Sequence, residues 1–370
     1  MNQKSRNNKN NLKNITSNGF NIEETSDKNV DLAFLSLKIA LKAYFSTYNC
    51  YFGEIYRITR DKDLPDNFKY CDVLGELILS KYCEAYTECI IHFHHFAELV
   101  LKDFLRNENP LFLVSKSNEK DIVLKHKVNK NLLSFEDEKD LKTITFSESL
   151  TTLISLIENT TDNYYKNISF IVANRAVLET LHDLRNTIWH RGLYILNYDA
   201  LDEFIGRYIL PFVNEVAKHE NYIGHQKLWK YKKLDCGIDP ITEIINHFQE
   251  VKEGESYNLE KIAFLKELGR AAYNVNIPWL QYQSSIENKA LTVIQDNDYN
   301  DICKCPVCGV NSLIIYKEID YQLDKYSGEI IDILSSWPIH VRCECCSFEL
   351  HNDIKNASEY GIEGIRDFWV

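Results

Sequence analysis

The spacing of apolar and polar residues predicts a mainly α-helical chain that ends in a small β-rich segment. Apolar residues recur at helical intervals from Asp31, again from about Cys71 to Leu105, and in shorter stretches up to Tyr273. From Asp301 onward the period shortens, and the stretches LIIYKEI and IIDIL favour strands. We therefore expect a helical bundle followed by a small β domain.

Composition shifts divide the chain further. The first thirty residues are rich in Asn, Lys and Ser and have few apolar positions, so they cannot bury enough surface to order themselves. The lysine-rich connection 114–143 is irregular, with one potential helix at 119–129. The sequence thus predicts a disordered tail at 1–30, a helical domain at 31–222, a helical linker region at 223–300 and a β-rich domain at 301–370.

Several residues mark where the predicted helices begin and end. Thr145 and Glu148 form a capping-box pattern that opens the helix SESLTTLISLIE. A longer helix is predicted from about 170 to 191, with Gly192 placed to stop it. Asp199 is expected to cap the next helix, and Pro211 is expected to kink that helix.

Composition limits the function classes. With 45% hydrophobic and 26% charged residues among 370, the chain reads as a soluble globular protein. No stretch approaches the roughly 20 apolar residues of a membrane span. A formal net charge of −12 argues against general coating of nucleic acid, so any RNA contact must be local. Because no secretory signal is evident, we expect the eleven cysteines in a reducing cytoplasm, where clustered thiols bind metal.

Two CxxC turns in the β-rich segment predict a metal site. The stretches CPVCG and CECC contain thiolates that can ligate one tetrahedral Zn²⁺. Four protein ligands leave no position for water, so the predicted metal is structural. The expected ligands are Cys305, Cys308, Cys343 and Cys346. Cys303 and Cys345 remain as alternatives, and His340 and His351 are weaker candidates.

The charge of the β-rich segment bears on its partner. Residues 301–370 contain twelve Asp or Glu against six Lys or Arg, and a Cys₄ zinc centre adds negative charge. Nucleic acid is a poor match for such a surface. A protein partner, or packing alone, is the better expectation. The CPxCG form resembles the knuckles of zinc-ribbon proteins.

The helix predicted at 170–191 combines an apolar stripe with a polar ridge. At about 100° per residue, the stripe expected to face the core contains Val177, Leu181, Leu184 and Ile188. Arg185 lies at the edge of that stripe, and Asp183, Asn186 and His190 project from the opposite side. Arg185 and His190 are about 7.5 Å apart along the axis and about 140° apart around it. For both to touch one phosphate, either the arginine side chain must swing over or the helix must distort near its end.

The stretch LHDLRNTIWHRG resembles the RNxxxH signature of the HEPN superfamily of ribonucleases, with Arg185, Asn186 and His190 in the motif positions. The upstream stretch CIIHFHHFAELVLKDFL resembles the first long core helix of that family, with Glu98 where an acidic residue is often found. The similarity covers about residues 31–222. It implies a HEPN-like helical bundle.

The residue types suit RNA cleavage without a catalytic metal. Arg185 stays protonated and can hold a phosphate, whereas His190 can move protons at the ribose 2′-OH or the 5′-oxygen. Because one protomer supplies one such histidine, pairing of two helices would bring a base and an acid to a shared phosphate. The resemblance implies the same composite site in a homodimer, with 2′,3′-cyclic phosphate and 5′-hydroxyl products.

Other residues have weaker predicted roles. Asn186 would bind the phosphate or orient His190, and Glu98 is hypothesised to pair with Arg185. Asp183 could hold His190, but a solvated surface acid is the simpler interpretation. Trp189 and Tyr194 beside the motif are candidates for stacking on a base, although Trp189 is expected to pack. Core packing is favoured over metal binding for the clustered His92, His94 and His95.

A basic and aromatic stretch, QKLWKYKKL, suits single-stranded RNA, although an exposed linker is an equal alternative. Its candidate RNA-binding residues are Lys227, Lys230, Lys232 and Lys233. The leading hypothesis from the sequence is a metal-independent endoribonuclease, a toxin or antiviral defence effector by family analogy. The alternative is a catalytically inactive HEPN dimer that binds a nucleotide or a protein, with the zinc ribbon as adaptor.

Overall fold

The computed structural model describes residues 32–50, 75–115, 143–159, 163–191, 194–275, 282–295, 299–323 and 330–369. The predicted tail, the potential helix at 119–129 and Gly192 lie outside these ranges. The helices are α1 (Leu32–Cys50), α2 (Gly75–Glu108), α3 (Phe146–Asn159), α4 (Asn163–Asn167), α5 (Phe170–Ala173), α6 (Arg175–Arg191), α7 (Tyr198–Glu203), α8 (Leu210–Lys218), α9 (Gln226–Trp229), α10 (Pro240–Glu250), α11 (Leu259–Asn274) and α12 (Gln283–Gln295).

Helix α1 lies at the centre of the helical core. Its apolar residues are not confined to one stripe, as expected for a helix that is covered on several sides. It packs along α2 and also contacts α9 and α11. The fully buried Phe34, Tyr44 and Phe45 fill these contacts, and burial of each such side chain stabilises the fold by about 1.5–3 kcal/mol. The prediction of a mainly α fold is confirmed.

The capping box of α3 forms as predicted. The Thr145 backbone N–H donates to a Glu148 carboxylate oxygen at 2.7 Å, and the Glu148 N–H donates to the Thr145 hydroxyl at 3.3 Å. Two amide groups without helical partners are thereby satisfied. The capping box fixes the start of the helix that contacts α2 and α6.

The helix predicted at 170–191 is interrupted. Helix α5 ends at Ala173, and Asn174 caps it by donating its side-chain amide to the Phe170 carbonyl at 2.8 Å. Helix α6 then begins at Arg175. The side chain of Asn174 competes for backbone groups, which is why a single asparagine can separate two helices.

The expected cap and kink at 198–218 differ in detail. Asp199 lies within the first turn of α7, because the helix begins at Tyr198 after Asn197, so the predicted cap is wrong. A π-helical segment, Phe204–Ile209, joins α7 to α8. Within it the Leu210 N–H bonds to the Ile205 carbonyl, five residues back. This π turn comes directly before Pro211, which has no N–H to donate to the helix.

Residues after 222 contribute to the same helical core. Trp229 of α9 is buried and stacks on Phe34 of α1, with ring centroids 6.4 Å apart. Helix α11 packs against α1 so closely that a Cβ on Gly269 would come within 2.6 Å of the Phe45 ring. Glycine permits this approach, and α11 is therefore part of the core packing.

A buried ion pair joins α11 to α7. The Lys266 ammonium lies 2.6 Å from the Asp202 carboxylate, and both side chains are completely buried. The ammonium also lies 3.8 Å from the ring centroid of Tyr198 and 5.0 Å from that of Tyr44. These contacts replace the water that both charges lose on folding.

A four-stranded antiparallel sheet follows the helices. Its strands are β1 (Asp301–Cys303), β2 (Leu313–Leu323), β3 (Ile330–Cys343) and β4 (Glu349–His351), in that spatial order. Pro338 of β3 lies at a register shift against β2, where a residue without an N–H is tolerated. Leu313, Ile315 and Val341 are buried against the core, and the prediction of a small β-rich domain is confirmed.

Among the helices that the structure describes, none combines the length and the apolar character of a transmembrane span.

The ion pair of Asp202 and Lys266 gives a stability prediction. Asp202→Asn leaves a buried ammonium without its counter-charge and should lower the free energy of unfolding in urea by about 3–5 kcal/mol. The double variant Asp202→Leu/Lys266→Met removes both charges and should recover most of the loss. Glu179→Gln removes one partner of the exposed Arg175–Glu179 pair and serves as the control, with little expected change. Equal effects of Asp202→Asn and Glu179→Gln would contradict the prediction.

Candidate functional site

Helix α6 carries the predicted motif at its C-terminal end. Leu178 and Leu181 are buried against the core, whereas Leu184 and Ile188 are only half-buried. Leu178 therefore belongs to the buried stripe, although the predicted stripe did not include it. The core contacts weaken toward the end of the helix, so the last turn is accessible to solvent.

The three motif residues differ in exposure. His190 is exposed, while Arg185 and Asn186 are half-buried. The Arg185 guanidinium donates to the Asn186 side-chain oxygen at 3.0 Å and lies 5.5 Å from the centre of the Trp189 ring. Trp189 is 65% exposed, so the expectation that it packs is wrong. Both the guanidinium and the indole are held at the accessible end of α6.

A chain of hydrogen bonds runs from the motif into the core. The Asn186 side-chain nitrogen lies 3.0 Å from His182 Nε2, and His182 Nδ1 lies 3.0 Å from Nε2 of the buried His94. The carboxylate of Glu98 follows, 3.9 Å from His94 Nδ1 and 2.6 Å from the Lys102 ammonium. Arg185 is thus connected by hydrogen bonds to His94, whose ring lies beside the Glu98 carboxylate.

The donor direction along this chain is self-consistent. Because the oxygen of Asn186 accepts from Arg185, its nitrogen must donate to His182 Nε2. A neutral His182 then carries its proton on Nδ1 and donates to His94 Nε2. The Nδ1 of His94 faces the Glu98 carboxylate at 3.9 Å, which is beyond hydrogen-bonding distance. The three hydrogen bonds from Arg185 to His94 all donate in the same direction, which favours one arrangement of the site.

The hypothesised direct pair of Glu98 and Arg185 is not formed. Glu98 pairs with Lys102, and its carboxylate lies 3.9 Å from the His94 ring. Sequence reasoning missed His182. Its position four residues before Asn186 places both on one helix face and is the signal that could have identified it.

Neither the Asp183 side chain nor the Asn186 side chain is hydrogen-bonded to His190. Asp183 is exposed, and its position two helical turns before His190, about 10.5 Å along the axis, excludes direct contact. Asn186 contacts Arg185 and His182 rather than orienting His190. Asn186 therefore holds the arginine and not the histidine.

Burial keeps the two network histidines neutral. Phe146 packs on both rings, with centroids 4.4 Å from His94 and 4.9 Å from His182. Burial lowers the pKa of His94 to about 4, against the opposing charge of Glu98. Burial also lowers the pKa of His182. The chain of donors described above is therefore the neutral-pH form.

Of the other clustered histidines of α2, His92 is half-buried and His95 is exposed. His95 Nδ1 lies 2.7 Å from the Ser36 hydroxyl of α1. Within the described ranges, neither His92 nor His95 belongs to a group of potential metal ligands. Packing was the favoured interpretation of this cluster.

The basic stretch around α9 exposes lysines, but its aromatic rings are not accessible to a nucleic-acid base. Trp229 and Tyr231 are buried, so neither can stack on a base. Lys230 pairs with Asp239 at 2.6 Å. The side chains that remain exposed are those of Lys227, Lys232 and Lys233.

Two matching turns bring the cysteines together. The first cysteine turn, 305–309, lies between β1 and β2, and the second, 343–347, lies between β3 and β4. In each turn the fifth residue donates its N–H to the carbonyl of the first cysteine at 3.0 Å. Each fifth residue, Gly309 or Ser347, also has a positive φ, at 77° and 58° respectively. The two turns are therefore built alike, as two halves of one site.

The sulfur geometry fits a tetrahedral metal. The four Sγ atoms of Cys305, Cys308, Cys343 and Cys346 all lie within 4.8 Å of one another. The pairs Cys305–Cys346 and Cys308–Cys343 are each 3.6 Å apart. A disulfide needs about 2.05 Å, whereas tetrahedral thiolates at about 2.3 Å from a zinc-sized ion lie about 3.8 Å apart. The predicted ligand set thus assembles as a potential metal centre.

Neighbouring groups favour the thiolate form at one of the four cysteines. The Cys305 and Cys308 thiols lower the pKa of Cys343 well below its usual range, whereas hydrogen bonding with Cys305 raises the pKa of Cys308 and of Cys346. The Cys345 N–H and the Ser312 hydroxyl also point at the Cys343 sulfur, each at 3.4 Å. Thiolate is the form that binds metal.

The alternative ligands do not join this cluster. Cys303 and Cys345 are outside the group of converging sulfurs, and Cys345 instead contributes its backbone N–H. His340 and His351 form a separate group with Glu349.

Helix α11 anchors the second cysteine turn to the helical core. Arg270 donates to the Ser347 carbonyl and hydroxyl oxygens, and the buried Glu267 carboxylate accepts from Arg270 and from the Glu349 N–H at 2.6 Å. Asn274 donates to the Ser347 hydroxyl at 3.1 Å. The strained Ser347 is therefore held by two side chains of one helix, Arg270 and Asn274, and Glu267 holds Arg270 in place.

Comparison with known proteins adds no identity. No family model, no curated protein and no solved structure matches the chain. The resemblance of the α6 motif to HEPN ribonucleases therefore remains a prediction, which rests on the residues of this chain.

The buried His94 gives a pH prediction. Its pKa of about 4 in the folded protein lies below the reference of about 6.5, so the unfolded chain binds the extra proton between these values. The free energy of unfolding should be unaffected by His94 above pH 6.5 and should fall toward pH 4, by at most about 1.4 kcal/mol per pH unit. Urea unfolding from pH 4 to 8 measures this slope.

His94→Gln should remove one histidine's share of that slope. Leu178→Ala is the control, because it creates a cavity in the same core and lowers stability at every pH while keeping the slope. An unchanged slope in His94→Gln would show that another group is responsible.

The cysteine centre gives a metal prediction. Cys305→Ser removes one of four converging ligands and should abolish one equivalent of bound metal per chain in elemental analysis of freshly reduced protein. Cys303→Ser is the matched control and should retain that equivalent. Loss of metal in both variants, or metal-free wild-type protein, would refute the ligand set.

Proposed function

We propose that the chain is an endoribonuclease of the HEPN type, which cleaves RNA without a catalytic metal. Arg185 binds the scissile phosphate and stabilises the charge of the transition state. His190 is the general acid or base, and Asn186 holds Arg185. The observation that carries this proposal is that the accessible end of α6 contains both a positioned guanidinium, Arg185, and an exposed imidazole, His190.

The network behind Arg185 supports a binding role for its guanidinium. Asn186 and the Trp189 ring orient the group, and the neutral His182–His94 pair fixes Asn186. An arginine restrained before substrate arrives loses less entropy when it binds phosphate. The exposed Trp189 and Tyr194 provide rings beside the motif on which an RNA base can stack.

A homodimer completes the chemistry. Transfer to a 2′,3′-cyclic phosphate needs one group to take the 2′-OH proton and another to protonate the leaving 5′-oxygen. One α6 helix supplies one exposed His190. Two α6 ends facing each other across a two-fold axis supply both groups, and the two Arg185 side chains hold the phosphate between them.

The cysteine centre holds a structural Zn²⁺ in this proposal. Four soft thiolates in a tetrahedral arrangement favour zinc among common divalent ions and leave no position open for water. The acidic β-rich domain is then a folding unit and a surface for a protein partner. The exposed Lys227, Lys232 and Lys233 offer local contacts to RNA phosphates. By analogy alone, the enzyme serves in the cytoplasm as a toxin or antiviral effector.

The test is cleavage of RNA by the purified full chain. Wild-type protein should give products with 2′,3′-cyclic phosphate and 5′-hydroxyl ends, and activity per chain should rise with concentration as dimers form. His190→Ala and Arg185→Ala should each lower the rate by about 10²–10⁴. Expression of the wild type, but not of these variants, should arrest growth.

Glu179→Gln is the control, because Glu179 is exposed on the same helix and pairs with Arg175. It should cleave like the wild type. RNA or nucleotide binding without cleavage, or equal rates for all four proteins, would exclude the enzyme and leave the binding module as the function.

A further inference from the structure

The outer face of the β-sheet carries a second group of converging ligand atoms. His340 of β3 is the register partner of His351 of β4, and Glu349 lies two residues before His351. Alternate residues of a strand point to the same face, so the three side chains share one side of the sheet. One ligand atom from each lies within 4.8 Å of the other two.

Their spacing is close to that of a coordination sphere. His340 Nε2 lies 2.7 Å from a Glu349 carboxylate oxygen, and the two imidazole rings stack with centroids 4.5 Å apart. Ligand atoms about 2.0 Å from a tetrahedral metal lie about 3.3 Å from one another. Small side-chain rotations, with the strands unmoved, would bring all three atoms to that distance.

This group is distinct from the cysteine centre. Val341 and Cys343 are buried on the inner face of β3, whereas His340 is half-buried on the outer face. Three residues of strand separate His340 from Cys343 by about 10 Å. No shared ion can therefore be bound by the histidines and the four thiolates.

We propose that His340, Glu349 and His351 bind a second divalent metal ion of the zinc, cobalt or nickel class. Two imidazoles and one carboxylate form a donor set that suits these ions. Three protein ligands leave a coordination position for water or an anion, in contrast to the closed cysteine centre. Because all three residues are half-buried, the ion exchanges with solvent.

Neighbouring side chains hold the ligands in place. Tyr316, the register partner of His340 on β2, stacks on its ring at 5.1 Å with planes 18° apart. The Glu349 backbone is tied to Glu267 of α11. The hydrogen bond with His340 positions the Glu349 carboxylate beside both imidazole rings and lowers the pKa of Glu349. Such second contacts typically raise metal affinity.

The hydrogen bond between His340 and Glu349 needs no metal. His351, whose ring stacks on that of His340, is the third ligand of the proposed site and is therefore the residue that discriminates. The test must therefore ask whether His351 contributes to binding of an ion. It is independent of the nuclease proposal, since it uses the metal alone.

The experiment is titration of the full chain, with its cysteine centre already loaded, by Co²⁺. Calorimetry should detect one additional equivalent, and its absorption should lack the intense thiolate-to-cobalt band. His351→Ala and the near-isosteric Glu349→Gln should each weaken this binding more than about tenfold. Glu318→Gln changes an exposed residue of β2, keeps all three ligands and is the matched control, with affinity within a few-fold of the wild type.

Cys305→Ser separates the two centres. It should lose the cysteine-bound metal and still bind the additional Co²⁺. The proposal is overturned if the loaded wild type takes up no further Co²⁺, or if the uptake shows the thiolate band. Unchanged affinity in both His351→Ala and Glu349→Gln would overturn it as well.

Discussion

Two adjacent charged residues in the middle of α11, Lys266 and Glu267, are completely buried. The architecture depends on the partner of opposite charge that each of them finds. A buried charge is tolerated only with a partner. Lys266 finds Asp202 in the helical core, and Glu267 finds Arg270, which also holds the second cysteine turn. One helix therefore joins the bundle on one side to the sheet and its cysteines on the other.

The same principle governs the candidate active site. Arg185 carries its charge at the surface, yet hydrogen bonds through Asn186 and His182 connect it to His94, which lies beside the anion of Glu98. Because burial keeps the two histidines neutral, the network passes hydrogen bonds without adding charge. The guanidinium is thereby restrained by the core, while His190 stays exposed at the end of the helix and free of that restraint.

Local patterns made several features predictable. The capping box at Thr145, the helices with regular apolar spacing and the two CxxC turns depend on residues a few positions apart, and all three form. Features that depend on distant neighbours were missed or wrong. His182 joins the site through His94, 88 residues away, and Trp189 is exposed because no described element covers the last turn of α6.

The sequence by itself determined the fold class, the helix that carries Arg185 and His190, and the four cysteines that converge. The spacing of apolar residues and of cysteine ligands depends on residues a few positions apart, so it can be recognised without knowledge of the packing. Only the tertiary structure decided that Glu98 pairs with Lys102, that the rings at 229 and 231 are buried, and that His340, Glu349 and His351 meet. Each of these depends on which surfaces come together, because burial and cross-strand register bring together residues that no short pattern relates.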